Sequence, residues 1–398
     1  MTPTYSARGG SLRDAILPRD AGATLVGRVH DPAIGGPCVV AVRGDELADI
    51  TSTVSTTADL FERADLLDVV RTAPADRSWD LEQVLRSSLD RDTGAVRLLA
   101  PIDLQVIKAA GVTFATSMLE RVIEERSKGD PSRAAAVRAK VTEALGGALD
   151  GVRPGSPEAD AAKTVLIEAG YWSQYLEVGI GPDPEIFTKA PVLSAVGLGA
   201  QVGVLERSTW NNPEPEVVLA VTGRGDIVGA TLGNDVNLRD FEGRSALLLA
   251  EAKDNNASCA IGPFVRLFDD GFGIDDLRST DVELTVTGDD GFELAEVSSL
   301  SKMSRELEDL VAHAFGSHHR YPDGFVLFTG TLFAPTQDRG DEGRGFTHHR
   351  GDLVSISAPE LGTLLNEVAT AEEAPDWTFG IRELFRSLVA RDLIGARS

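Results

Sequence analysis

Short apolar runs broken by Gly, Asp, Asn or Pro fill the second half of the chain: VLSAVG, EVVLAVT, DIVGATLG, VELTVTG, GFVLFTGT and GDLVSISA. Runs of this length, rich in β-branched residues and bounded by turn formers, predict strands. Their crowding from residue 176 onward predicts a mixed β-roll or barrel-like core. SKMSRELEDLVAHAF is the main helical interruption there. Upstream, FATSMLERVIEERSKGDPSRAAAVRAKVTEALGGALDG spaces its apolar residues helically among charges. It predicts two amphipathic helices broken at KGDPS, forming a lid or flank. The first 100 residues mix strand-like ATLVGRV and PCVVAVR with helical TTADLFERADLLDVVRT. A proline after RLLA marks a boundary. The expected class is α+β: a small N-terminal α+β domain over 1–100 and a larger catalytic domain over 101–398.

Composition narrows the function. Hydrophobic content of 42% and charged content of 25% are ordinary for a globular chain of 398 residues. No apolar run approaches the ~20 residues of a membrane helix. The start, MTPTYSARGGSLRDA, lacks the basic end and apolar stretch of a secretory signal. A cytoplasmic location without membrane partners is expected. A net charge of −24 argues against nucleic acid and anionic membrane surfaces as partners. Cys38 and Cys259 stand far apart without CxxC spacing, which argues against a disulfide framework or a thiolate metal site. Any metal would be held by oxygen.

NNPEPEVVLAV places Glu214 and Glu216 two apart at the head of an apolar strand. Side chains alternate along a strand, so both carboxylates face one way and Pro215 the other. Two like charges that close require a proton or a cation between them. GATLGNDVNLRD adds Asp235 after another strand, and LLLAEAKDNNASCAIGPF brings Lys253. Alone, Asp235 is more often a turn or cap residue and Lys253 a solvated surface group. Together, three carboxylates without Cys or His suit a hard divalent cation, Mg²⁺ first.

EPEVVLAV, GATLGNDVNLRD, AKDNNASCAIGPF, LFTGT and GDLVSISAPELGTLLNEV, in that order and spacing, resemble the fumarylacetoacetate hydrolase superfamily over roughly residues 105 to 395. The resemblance implies that Glu214, Glu216 and Asp235 hold Mg²⁺, with Mn²⁺ or Ca²⁺ as substitutes. It also implies Lys253 beside the metal, Thr329, Gly330 and Thr331 on substrate oxygens, and a homo-oligomer, dimer or tetramer. One departure matters. Hydrolases of the superfamily carry a His that activates water, and Ser117 of GVTFATSMLE stands in its place. Of the six histidines, His348 and His349 of GRGFTHHRGD are the ones that a loop could bring from afar. GVTF, SMLERVIEE and PEIFTKA resemble instead a branch that dehydrates 2-keto-3-deoxy sugar acids, xylonate or arabinonate type, to 2-oxoglutarate semialdehyde.

A 2-oxo acid can chelate a divalent ion, which stabilises negative charge on the keto oxygen when a C3 proton leaves; the resulting enolate expels the C4 hydroxyl. Lys253 is the candidate to assist the enolate, and Glu185 of GPDPEIFTKA and Glu120 of SMLERVIEE are candidates for base and acid. Lys189, Thr331, Arg239 and Ser117 are candidates for substrate binding. The alternatives are a C–C hydrolase of acylpyruvates and a 2-oxo acid decarboxylase, since the same enolate serves all three.

Overall fold

The computed structural model describes residues 10–145, 152–332, 337–339 and 345–394. Seven strands form the part of the main sheet that matters for the site. They are β1 (Leu25–Asp31), β2 (Val106–Gly111), β3 (Glu185–Ala190), β4 (Pro215–Val221), β5 (Ile227–Asp235), β6 (Cys259–Leu267) and β7 (Phe325–Phe328). Their order across the sheet is β1-β6-β5-β4-β7-β2-β3. Neighbours run antiparallel except β7 and β2, which are parallel. Beyond β1 the sheet continues through Gly36–Arg43, Glu46–Asp49 and Ser78–Asp80. The strands of the first 100 residues therefore prolong the sheet that carries the carboxylates, joined where Leu25 faces Arg266 and Val26 faces Val265.

A second, five-stranded sheet is built from Glu293–Ser299, Asp281–Thr287, Leu353–Ala358, Gly362–Thr370 and Gln201–Val204. The expected β-roll thus takes the form of two open sheets, and neither closes into a barrel. The largest core cluster contains Val217, Leu219, Ala230 and Leu232 of the main sheet with Leu284, Val286, Ile356 and Leu364 of the second. The intervening Val218 packs with Ile107, Ala109 and Phe328 in a different cluster. With both faces covered, β4 reads as an unbroken apolar run rather than an alternating one.

Between β2 and β3 the chain forms a helical flank: α1 (Ala115–Ser127), then Pro131–Leu145, Pro157–Glu168 and Gln174–Ile180. Met118, Val122, Leu166 and Tyr175 give this flank its own small core. Among the described residues no helix is long and apolar enough to cross a membrane.

Candidate metal centre

Strand register assembles the carboxylates. Glu216 lies opposite Gly233, and the amide of Asp235 donates to the carbonyl of Glu214 at 3.0 Å. Glu214, just before β4, Glu216 on β4 and Asp235 at the end of β5 therefore point to the same face, away from the second sheet. Gly233 lets the Phe328 ring pack against β5: a Cβ there would stand 2.3 Å from that ring. All three carboxylates are buried, and each offers an oxygen within 4.8 Å of the others.

Their partners differ. Lys253 closes the short helix Leu249–Lys253, and its ammonium donates to Glu214 and, at 3.0 Å, to Asp235. Lys189 of β3, 0% exposed, reaches Asp235 at 2.9 Å and the carbonyls of Val236 and Lys253. Burial pushes the Asp235 carboxyl up, but the two lysines outweigh it and hold it below its usual range. Burial likewise lowers Lys253, yet Asp235, Glu214 and Glu242 overcome that and keep the ammonium charged far above its usual range. Among the described residues Glu216 receives only the Gly330 amide, at 2.6 Å. Among the described residues no cation lies within 4 Å of it. Burial, then the charges of Asp235 and Glu214, push its carboxyl far above the usual carboxylate range.

This donor set fits a hard divalent cation. It is all oxygen, it is preformed by sheet register, and one member lacks the countercharge that an ion would supply. Free space within the cleft is about 20 Å³, enough for one water-sized body, whereas with its open mouth the cleft spans about 490 Å³.

One face of α1 forms the wall. Ser117, Glu120, Arg121 and Glu124 follow at helical spacing and all line the cleft. Arg121 ties Glu214 to Glu124 at 2.7 Å and Glu242 at 2.8 Å. Arg239 bonds Glu124 at 2.7 Å and Glu120 at 3.3 Å and lies over the Trp210 ring. The Ser117 hydroxyl is used in the first turn, donating to the Phe114 carbonyl at 2.8 Å and accepting its amide at 3.3 Å. Glu185, first in β3, is half-buried on the opposite wall, and burial followed by the charge of Glu242 raises its pKa to about 7. Facing it in β2 is Gly111, where a Cβ would lie 2.0 Å from the Glu185 carboxylate.

Residues 183–369 match the family model for the fumarylacetoacetate (FAA) hydrolase C-terminal domain. Over that stretch the chain is similar to the fumarylacetoacetate hydrolase family. A probable 2-keto-3-deoxyxylonate dehydratase of Haloferax volcanii is 29% identical over 346 residues, 86% of this chain and 99% of that protein. A 2-dehydro-3-deoxy-D-arabinonate dehydratase of Saccharolobus solfataricus is 32% identical over 187 residues, 46% of this chain and 58% of that protein. The solved structure of 2-keto-3-deoxy-D-arabinonate dehydratase with magnesium and 2,5-dioxopentanoate superposes with a TM-score of 0.60. It is 21% identical and spans 87% of this chain and 99% of its own, a likeness that establishes the fold.

The fold gathers most of the residues singled out from the sequence. Glu214, Glu216, Asp235, Lys253, Glu185, Glu120, Ser117, Arg239, Gly330 and Thr331 line one cleft. Lys189 and Thr329 lie behind it. The Lys189 ammonium backs Asp235 instead of facing the opening, and the Thr329 hydroxyl donates to the Val217 carbonyl at 3.0 Å. His348 bonds Asp352 at 3.2 Å and His349 sits beside Asp290 at 3.3 Å; among the described residues no histidine lines the cleft. Sequence reasoning missed Arg121, Glu124, Glu242 and Asn212. Helical periodicity extended from Ser117 and Glu120 would have reached Arg121 and Glu124. Glu242 and Asn212 carry no such signal.

Proposed function

We propose that this protein dehydrates a 2-keto-3-deoxypentonate, xylonate or arabinonate type, to 2-oxoglutarate semialdehyde, with Mg²⁺ held by Glu214, Glu216 and Asp235 and replaceable by Mn²⁺ or Ca²⁺. The names of the two relatives support the reaction, and the magnesium and 2,5-dioxopentanoate of the solved neighbour support the ion and the product. One observation separates dehydration from hydrolysis on this fold. The helix turn that would present a water-activating imidazole presents a Ser117 hydroxyl already used within the backbone, while a carboxyl with a pKa of about 7, Glu185, stands across the cleft.

When bound, the ion supplies electrophilic stabilisation of charge on the 2-oxo oxygen. The chain's own groups do the rest. Glu185 titrates in the range suited to a general base and takes the C3 proton. Glu120 is held between Arg138 and Arg239, so it fixes the Arg239 side chain in the cleft wall instead of donating a proton. The proton gained by Glu185 is then the one at hand for the departing C4 hydroxyl. Lys253 keeps its charge and orients Glu214 and Asp235. Thr331 and the Gly330 turn form the rim. Elimination removes one water and leaves a C3=C4 alkene; loss of a C5 proton and return of a proton to C3 give the C4–C5 enol, whose tautomerisation leaves the aldehyde. A small 2-oxo acid as partner, a cytoplasmic setting and a homo-oligomer, dimer or tetramer, complete the proposal on the strength of the family resemblance.

The test is product analysis. Purified protein with Mg²⁺ is offered both 2-keto-3-deoxypentonates, an acylpyruvate and oxaloacetate. Semialdehyde from a pentonate is expected; faster cleavage of the acylpyruvate, or release of carbon dioxide, would overturn the assignment.

A further inference from the structure

The cleft presents seven carboxyl groups against three cations, Arg121, Arg239 and Lys253. None of the three is available to a second anion. Lys253 is shared by Glu214 and Asp235, and Arg239 by Glu120 and Glu124. Arg121 is enclosed by Glu124, Glu214 and Glu242. The last of these contacts stands apart. Glu124 also serves Arg239, and Glu214 belongs to the metal trio, but among the described residues Glu242 pairs with Arg121 alone. It is buried, lines the cleft, and comes from a separate short helix, Arg239–Glu242, outside both the metal strands and α1.

We infer that Glu242 is a specificity-determining residue: by occupying the third side of Arg121 it denies the cleft a free cation and restricts the substrate to one anionic group, the carboxylate beside the 2-oxo oxygen, with an uncharged tail. This rests on the proposed function and deepens it. A 2-oxo acid whose far end carries a carboxylate or phosphate would bring that charge among Glu242, Glu185 and Glu124 with no cation to receive it, and burial of an unpaired charge is strongly disfavoured. A hydroxylated tail meets carboxylate acceptors instead, and each hydroxyl can donate to one.

A pair of non-reacting probes of equal chain length isolates this effect. Neither 2-oxopentanoate, with one anion, nor 2-oxoglutarate, with two, has a C4 hydroxyl to lose, so binding to the Mg²⁺-loaded protein can be measured by calorimetry without turnover. The wild type is expected to favour 2-oxopentanoate by about tenfold or more. Glu242→Gln keeps the size but frees one side of Arg121, and should bring the ratio of the two dissociation constants to about unity or reverse it. Glu242→Asp keeps the charge and should keep the preference. A wild type that binds 2-oxoglutarate as tightly as 2-oxopentanoate, or a ratio unmoved by Glu242→Gln, overturns the inference. Dehydration assayed on the same preparations reports separately on the function: a lost ratio with intact dehydration sinks the role of Glu242 alone, and an intact ratio without dehydration sinks the reaction alone.

Discussion

Replacing Glu216 with Gln in the metal-free protein removes the one carboxyl of the trio that no described cation balances. Burial and the neighbouring carboxylates already disfavour its charged form, its hydrogen bond among the described residues comes from the Gly330 amide, and a Gln oxygen can accept the same bond. Stability in EDTA should therefore change by no more than about 1 kcal/mol. Asp235→Asn is a different perturbation, because it strands the fully buried ammonium of Lys189 and half-strands Lys253. Breaking a buried pair by removing one partner costs about 3–5 kcal/mol. For a chain of this length the unfolding entropy near the midpoint is roughly 0.8 kcal/mol/K, so the midpoint should fall by about 4–6 °C. Mg²⁺ at one hundred times its dissociation constant adds about 2.7 kcal/mol to the wild type, roughly 3 °C, and both variants should lose most of that gain. Thermal unfolding at pH 7, with EDTA and with Mg²⁺, gives all six numbers. If Glu216→Gln is as unstable in EDTA as Asp235→Asn, or keeps the full Mg²⁺ shift, then the assignment of charge within the trio is wrong.

The Glu185 carboxyl, raised to about 7, must be ionised to act as base, so kcat/KM should climb with pH to a plateau above that value, and Glu185→Gln should cost about a hundredfold and remove the limb. A group whose folded pKa is raised stabilises the fold below its unfolded pKa and loses that contribution as pH rises through the folded value. In EDTA, melting temperature should accordingly fall between about pH 4.5 and 7 more steeply in the wild type than in Glu185→Gln. Gly111→Ala would displace the flexible end of Glu185 but no backbone, so activity should drop at least tenfold while the melting temperature stays within about 2 °C; equal activity would show that Glu185 need not sit there. Ser117→His restores the residue type of the hydrolases but breaks two bonds in the first turn of α1. It should impair dehydration and yield no useful acylpyruvate cleavage, and a rise of about a hundredfold in cleavage would mark the protein as a hydrolase lacking its base.

The metal trio was legible because its logic is local: period-two alternation places Glu214 with Glu216, and the turn after the next strand supplies Asp235. From the sequence, removing any of the three charges would be expected to leave the metal-free protein as stable or more so. The structure separates them, because Lys189 and Lys253 arrive from segments 46 residues before and 18 after Asp235 and pair with it, while Glu216 is left without a cation. Lys189 reads as a substrate ligand in PEIFTKA, yet at the last residue but one of β3 its ammonium is buried against Asp235. The N-terminal 100 residues read as a separate small unit since their patterning is self-contained; that β1 would pair with a strand more than 200 residues later is a long-range choice that no local pattern encodes. Glu242 was invisible for a related reason, since a carboxylate on a four-residue helix resembles any surface residue until Arg121 is placed against it.

Lys253 lies between Glu214 and Asp235, so the chain carries an internal counter-ion for the carboxylates it offers to a metal. Zinc fingers and similar small domains fold only as their ion is captured. Here an ammonium tethered to the backbone screens most of the repulsion from the moment the strands pair. Synthesis and folding need not wait for the ion, and an enzyme stripped of it remains a folded vessel ready for reloading. Occupancy can then follow the free concentration of the ion in its surroundings, making catalytic output adjustable without turnover of the protein itself.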